Sequence, residues 1–276
     1  MIPYKDLHIY YLHGHVPPAS QTFDSNFIGC WQEEEFSFLF FSKPSRNQVE
    51  NMLRAQPQLN LLDEFQMTYE QWQGSKISPF RVGRFHIAPP WQIPWSEANV
   101  SPKELPIVLD PGVVFGNGMH PTTSDCLEAL ELAFDLGNPA SALDLGTGTG
   151  LLAIAASRLG CSRILGIDLN FLAVQTALKN VRYNRLQDSV LIVQGKAEDF
   201  IDSPSDLVIA NMHYDVTKHL IDAQGFPAKK WFILSGLLRT QARDIADRIS
   251  RHPAKIIKKW ERNGIWHTFL GKICAS

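Results

Sequence analysis

Leu143-Asp144-Leu145-Gly146-Thr147-Gly148-Thr149-Gly150 reads as a buried strand that leaves through a glycine turn into a helix over Leu151–Leu159. Three alternating glycines let a backbone approach a ligand closely, and a helix N-terminus offers free N–H groups and the positive end of a dipole. Working outward, strand and helix alternate. Upstream, Thr122 and Thr123 open a helix in which Cys126, Leu127, Leu130 and Phe134 recur at helical spacing, ending near Gly137. Downstream come a strand at Ile164–Ile167, a helix through Ala173, Ala177 and Val181, and strands at Val190–Val193, Leu207–Ala210 and Trp231–Leu234. A helix near Gln241–Ile249 follows the last of these. Alternation of this length predicts a mainly parallel, doubly wound α/β sheet covered on both faces. Ile256–Trp260 and Ile265–Leu270 have no helix between them, which predicts an antiparallel edge hairpin.

Residues 1–80 read as a separate small α/β domain. Strands are expected at His8–Leu12, Phe27–Trp31 and Glu35–Ser42, a helix at Asn47–Arg54, and a further strand over Leu61–Trp72. Pro89, Pro90, Pro94, Pro102, Pro106 and Pro111 then crowd a short window. Proline fixes φ and removes a donor, so residues 81–112 are expected to form a stiff linker along the surface of the second domain, residues 113–276.

Composition narrows the functional classes. The 276 residues are 45% hydrophobic and 20% charged, which excludes disordered and fibrous chains. No apolar stretch reaches the roughly 20 residues of a membrane span, and Met1-Ile2-Pro3-Tyr4-Lys5-Asp6 lacks the layout of a secretory signal. Cys30, Cys126, Cys161 and Cys274 have no paired spacing, so no zinc site or disulfide framework is expected. A net charge of -2 argues against broad nucleic-acid binding, and the basic residues between Lys229 and Lys259 read as solvated faces. The expectation is a soluble cytoplasmic protein with no metal.

The turn lacks the third glycine of the dinucleotide fingerprint, since Leu151 stands in its place. It resembles instead the first motif of class I S-adenosylmethionine (SAM) methyltransferases, in which Asp144, Gly146, Thr147 and Gly148 would face the cofactor. Asp168 ends the second strand, where a carboxylate can accept both hydroxyl protons of a ribose; the competing reading is a helix cap ahead of Phe171. Gly195-Lys196-Ala197-Glu198-Asp199 follows the third strand, where such enzymes contact adenine, though Glu198 and Asp199 serve equally well as surface turn residues.

A second motif is more specific. Phe115-Gly116-Asn117-Gly118-Met119-His120-Pro121-Thr122-Thr123 resembles the Phe-Gly-Thr-Gly-Thr-His-Pro-Thr-Thr signature of the bacterial ribosomal protein L-eleven methyltransferases. Ile87-Ala88-Pro89-Pro90-Trp91, Leu109-Asp110-Pro111-Gly112, Ala210-Asn211 and Leu234-Ser235-Gly236 match further family motifs in order, so the resemblance covers residues 80–272. It implies a Rossmann-like class I fold, SAM as cofactor, and SAM contacts at Thr123, Gly146, Asp168 and Asn211. It also implies a lid over the reaction centre from Phe115, Asn117, Met119 and His120, with His120 structural before catalytic. Asn117 and Met119 replace two threonines of the signature. Asn211-Met212-His213-Tyr214 departs from the family's Asn-Ile-Leu-Ala and resembles the Asn-Pro-Pro-Tyr of amino methyltransferases. There the amide accepts from the target nitrogen, and a ring such as Tyr214 stabilises developing positive charge. The expected function is methyl transfer to a protein amine, a lysine or N-terminus, with a ribosomal protein as one possible substrate. The alternatives are a methyltransferase for a non-ribosomal substrate and a SAM-binding regulatory or assembly factor without catalysis.

Overall fold

A computed structural model describes residues 4–18, 22–95, 101 and 103–274. Met1–Pro3 and Pro102, both used above, lie outside that set. The chain divides into two compact units: Met1–Ile77 with Asn170–Leu172, and Ser78–Leu169 with Ala173–Ser276.

The smaller unit contains β1 (Asp6–His13), β2 (Phe27–Glu33), β3 (Phe36–Phe41), α1 (Arg46–Ala55), β4 (Asn60–Thr68) and α2 (Tyr69–Gln73). Its sheet runs β2-β3-β1-β4, with every pair antiparallel. One face collects Tyr10, Leu12, Leu39 and Phe41, and α1 lays Val49 and Met52 on them. The strand expected over Leu61–Trp72 stops at Thr68. There a capping box takes over: the Gln71 N–H donates to Thr68 Oγ1 (3.1 Å), and the Thr68 N–H to Gln71 Oε1 (2.7 Å). Two first-turn donors are thereby satisfied, so Tyr69–Gln73 turns helical despite its aromatic residues.

The larger unit begins with β5 (Phe80–Val82), β6 (Phe85–Ala88) and β7 (Leu105–Val108), a small sheet in which β5 and β6 are antiparallel and β6 and β7 parallel. The proline-rich segment is thus more than a surface linker. Phe85, Ile87, Ile107 and Leu109 are buried in the main core, and Pro106 is tolerated because β7 is an edge strand.

Then follow α3 (Pro121–Gly137), β8 (Ser141–Leu145), α4 (Leu151–Arg158), β9 (Arg163–Asp168), α5 (Phe171–Tyr183) and β10 (Val190–Gln194). The chain continues with β11 (Leu207–Asn211), α6 (Tyr214–Asp222), β12 (Trp231–Leu238), α7 (Arg239–Ile249), β13 (Ala254–Arg262) and β14 (Trp266–Ile273). The sheet order is β10-β9-β8-β11-β12-β14-β13. Its first five strands are parallel, and the last two form the antiparallel hairpin. Asn263 and Gly264, at φ +56 and +66, turn that hairpin, an Asn-Gly pair suited to the strand twist. One face carries α3, α4 and α5, burying Leu130, Ile154 and Val181; the other carries α6 and α7, burying Leu220, Ile221 and Ile245. Strand order reverses between β8 and β11, and in open α/β sheets ligands gather at the carboxyl ends beside such a switch.

Candidate active site

The glycine turn leaves β8 at that switch. The N–H groups of Gly146 and Thr147 both donate to the Ile167 carbonyl (2.8 and 2.9 Å), and the Gly148 N–H donates to Asp168 Oδ2 (2.9 Å). Glycine is required at 148 on two counts: its φ is +55, and a Cβ there would lie 2.7 Å from the Phe115 carbonyl oxygen. Asp144 sits beneath the turn and is 1% exposed. Its Oδ2 accepts from Thr147 Oγ1 (2.6 Å) and from the Ala153 N–H (3.1 Å), tying the turn to the first turn of α4. Burial pushes the Asp144 carboxyl up to about 6 against the pull of those two bonds, and the Asp168 charge adds to the rise. Asp144 and the Thr147 hydroxyl, both expected at the cofactor, are therefore occupied in shaping the turn.

Asp168 closes β9 and remains half-buried. The Gly195 N–H donates to its carbonyl (3.0 Å), bringing the end of β10 alongside. Glu198 follows, exposed, on a single turn of 3-10 helix, Ala197–Asp199, whose Ala197 is buried.

The segment 115–120 lies on the glycine turn. Thr149 Oγ1 donates to the Gly116 carbonyl (2.6 Å), Ser124 Oγ to the Gly118 carbonyl (3.3 Å), and the Met119 N–H to Asn117 Oδ1 (3.0 Å). Phe115 stays 56% exposed and Met119 37%, so the outer side of the loop is apolar and open. His120 caps α3. Its Nδ1 accepts from the Thr122 N–H (3.3 Å) and lies 2.7 Å from Thr122 Oγ1. Its ring packs at steep angles against Phe115 (tilted, centroids 5.5 Å apart) and Trp266 (edge to face, 5.1 Å). Burial lowers its pKa, in keeping with a neutral ring whose Nδ1 is an acceptor. His120 is a structural cap.

At the end of β11, Asn211 Nδ2 donates to Thr123 Oγ1 (3.4 Å), and Thr123 is 2% exposed. These two expected site residues come together. Tyr214 does not join them: it opens α6, its hydroxyl donates to Asp244 Oδ2 on α7 (2.9 Å), and Lys218 lies over its ring. The Asn-x-x-Tyr spacing is interrupted by the His213 helix cap, which swings the tyrosine into the α6–α7 pair.

Sequence reading missed Asn180, in the last turns of α5, and Asn184, the residue just past its end. Asn180 Oδ1 accepts from the Asp110 N–H (2.8 Å), and its Nδ2 donates to the carbonyls of Asp110 and Thr149 (both 2.9 Å). Asn184 pairs in the same way with Val108, through bonds of 3.0 and 2.7 Å. Lys179 adds a 2.7 Å ion pair to Asp110. The signal was available: two amides at i, i+4 beside the buried Ala177 and Val181 need partners.

The parallel sheet with an antiparallel hairpin, and a glycine turn leaving its central strand, define a class I methyltransferase fold. A family model, ribosomal protein L11 methyltransferase (PrmA), matches residues 31–273, and the chain belongs to this family. It is 36% identical over 177 residues to the ribosomal protein L11 methyltransferase of Anoxybacillus flavithermus, covering 63% of this chain and 55% of that one. To the protein of the same name from Desulforamulus reducens it is 34% identical over 215 residues, covering 74% and 66%. The crystal structure of ribosomal protein L11 methylase from Lactobacillus delbrueckii subsp. bulgaricus superposes with a TM-score of 0.60 at 27% identity, covering 71% of this chain and 98% of that one. The chain thus spans about half to two thirds of the length of these curated relatives.

Class I methyltransferase folds hold SAM. The donor set here suits it: a carboxylate at the end of β9 for a ribose diol, and a hydroxyl–amide pair at the end of β11. Among the described residues no helix is long and apolar enough to cross a membrane, and no cluster of His, Cys, Asp or Glu could hold a metal ion.

Proposed function

We propose that this chain is a SAM-dependent N-methyltransferase acting on a protein amine, a lysine or an N-terminus, with a ribosomal protein of the L11 type as substrate and the cytoplasm as its place of work. The observation that carries this reading is the meeting of the glycine turn, Asp168 and the Asn211–Thr123 pair at the carboxyl ends of β9, β8 and β11. In this reading Asp168 receives the ribose hydroxyls, and Gly146, Gly148 and Thr123 flank the methionyl part. Glu198 lies toward the base, and Phe115, Asn117 and Met119 cover the acceptor side. Residues 1–80 serve substrate recognition.

Bound SAM supplies a methyl group on a sulfonium that carries its own leaving group. The chain's part is to bind, orient and exclude water. Asn211 is suited to orienting the amine: with Nδ2 committed to Thr123, Oδ1 remains to accept an N–H from the incoming nitrogen. An apolar lid favours the neutral amine by desolvation, so no dedicated base is needed. Tyr214, held by Asp244, takes no part.

The test has two arms. Calorimetric titration with S-adenosylhomocysteine should show binding, and Asp168→Ala should weaken it by about 1–3 kcal/mol, the range for hydrogen bonds to a charged group. Radiolabelled SAM incubated with purified ribosomes should label a ribosomal protein. A wild-type chain that binds S-adenosylhomocysteine and labels nothing would support the non-catalytic alternative.

A further inference from the structure

Asp125 is a fully buried carboxylate two residues after Thr123, on the opposite side of α3 from the Asn211 contact. Its partners come from the edge hairpin. Arg262, the last residue of β13, donates from Nε to Asp125 Oδ1 (2.7 Å) and from its terminal nitrogen to Glu128 Oε1 (2.9 Å). Trp260 Nε1 takes the other Glu128 oxygen (2.8 Å), and Thr268 Oγ1 lies 3.5 Å from Asp125 Oδ2. Thr268 also meets Ser235 Oγ, which donates to the Thr122 carbonyl (3.4 Å).

Carboxylates three residues apart on a helix project on one side, about one turn apart. A planar guanidinium gripping both therefore fixes the roll of the helix about its axis as well as its position. A rolled α3 would carry Thr123 Oγ1 away from Asn211 Nδ2, because Thr123 and Asp125 lie on opposite sides of the same turn. His120, at the head of α3, packs on Trp266 of the same hairpin, so the hairpin holds the lid's root at a second point.

We propose that Arg262 is a positioning residue: by clamping Asp125 and Glu128 it sets the roll of α3, and so places Thr123 at the end of β11 for the cofactor. The proposal rests on the cofactor reading above and adds to it a residue some distance along the chain from every motif.

The experiment is a thermodynamic cycle read by calorimetric titration of S-adenosylhomocysteine, on chains shown by circular dichroism to be folded at the titration temperature. Arg262→Gln should weaken binding about tenfold, and Thr123→Val by a similar factor. Because one acts through the other, Arg262→Gln in the Thr123→Val background should change the dissociation constant less than about twofold. In the Asp168→Ala background it should keep its full tenfold effect. Arg262→Lys keeps the charge without the fork and should fall between wild type and Arg262→Gln; if Arg262→Gln does not fold, Arg262→Lys is read through the same cycle. A lowered Tm with unchanged affinity, or a full effect in the Thr123→Val background, would make Arg262 merely structural and overturn the proposal. A wild-type chain that does not bind S-adenosylhomocysteine would instead overturn the cofactor reading itself.

Discussion

Replacing Asp144 with asparagine should remove a pH dependence of stability that the fold builds into its own ligand turn. The carboxyl is 1% exposed and its pKa rises from 3.8 to about 6. An acid raised on folding binds more protons in the native state than in the unfolded state between those two values. Stability therefore falls as pH rises through the window from 3.8 to about 6, and is level above it. At about 1.4 kcal/mol per unit, the loss is about 3 kcal/mol. Asp144→Asn keeps the shape, and its side-chain carbonyl can still accept from Thr147 and Ala153, so the variant should lack this slope. Acids with lowered values, such as Asp206, which is held down by the Lys230 ammonium and backbone donors at Ala140 and Ser141, tilt both proteins alike and cancel in the difference. The assay is urea unfolding of both proteins at several values between roughly pH 4 and 8. The wild type should lose about 3 kcal/mol relative to the variant between the acidic and neutral ends, with most of the change below about pH 6. Parallel stability curves would refute the reasoning, as would a difference that grows in the wild type's favour as pH rises.

Two further outcomes are expected. Asn180→Ala strips partners from the Asp110 N–H and from the Asp110 and Thr149 carbonyls, and should cost about 3 kcal/mol or more in urea unfolding, since each buried group left unpaired costs about 1–3; a loss below about 0.5 would mean the amide is dispensable. Gly148→Ala must push back the Phe115 carbonyl and adopt a φ of +55, so Tm should fall and S-adenosylhomocysteine should bind at least about tenfold more weakly; wild-type affinity would show that the lid yields freely.

Legibility in the sequence followed how local the cause was. The strands at Val190 and Leu207 and the helix from Leu151 match expectation within a residue or two, because period and buried apolar runs are set by neighbours along the chain. Where a few polar atoms outvoted the hydrophobic pattern, expectation failed. The Thr68–Gln71 capping box turned an aromatic strand pattern into α2. Pro106 marked a linker by composition, yet one unpaired strand edge was enough to admit it to a sheet. Helix α6 went unread because its His213 cap and Tyr214 were assigned to a motif. The site residues divide in the same way. The positions of Gly148, Asp168, Asn211 and Thr123 are visible as a turn glycine, two strand ends and a helix start. That Asp144 also accepts from the Ala153 N–H, and that Asn180 holds Asp110 and Thr149 together, depends on partners 9 to 70 residues away.

The loop 115–120 shows why two lost threonines need not disable such a site. Several anchors of this loop are carried by groups other than the Asn117 and Met119 side chains: the carbonyls of Gly116 and Gly118 accept from Thr149 and Ser124, and His120 is held by Thr122 and Trp266. Asn117 even supplies its own turn bond, to the Met119 N–H. The exchanges therefore change the chemistry of the loop while these anchors remain. They remove two hydroxyls and add a thioether that is 37% exposed, in the same loop as a phenyl ring that is 56% exposed. Where such a loop acts as a lid, substitutions on its exposed side chains alter what can approach it more than what lies beneath. On the function proposed above, Asn117 and Met119 are expected to bear on the choice of acceptor, and cofactor retention is expected to rest on Asp168 and the Asn211–Thr123 pair.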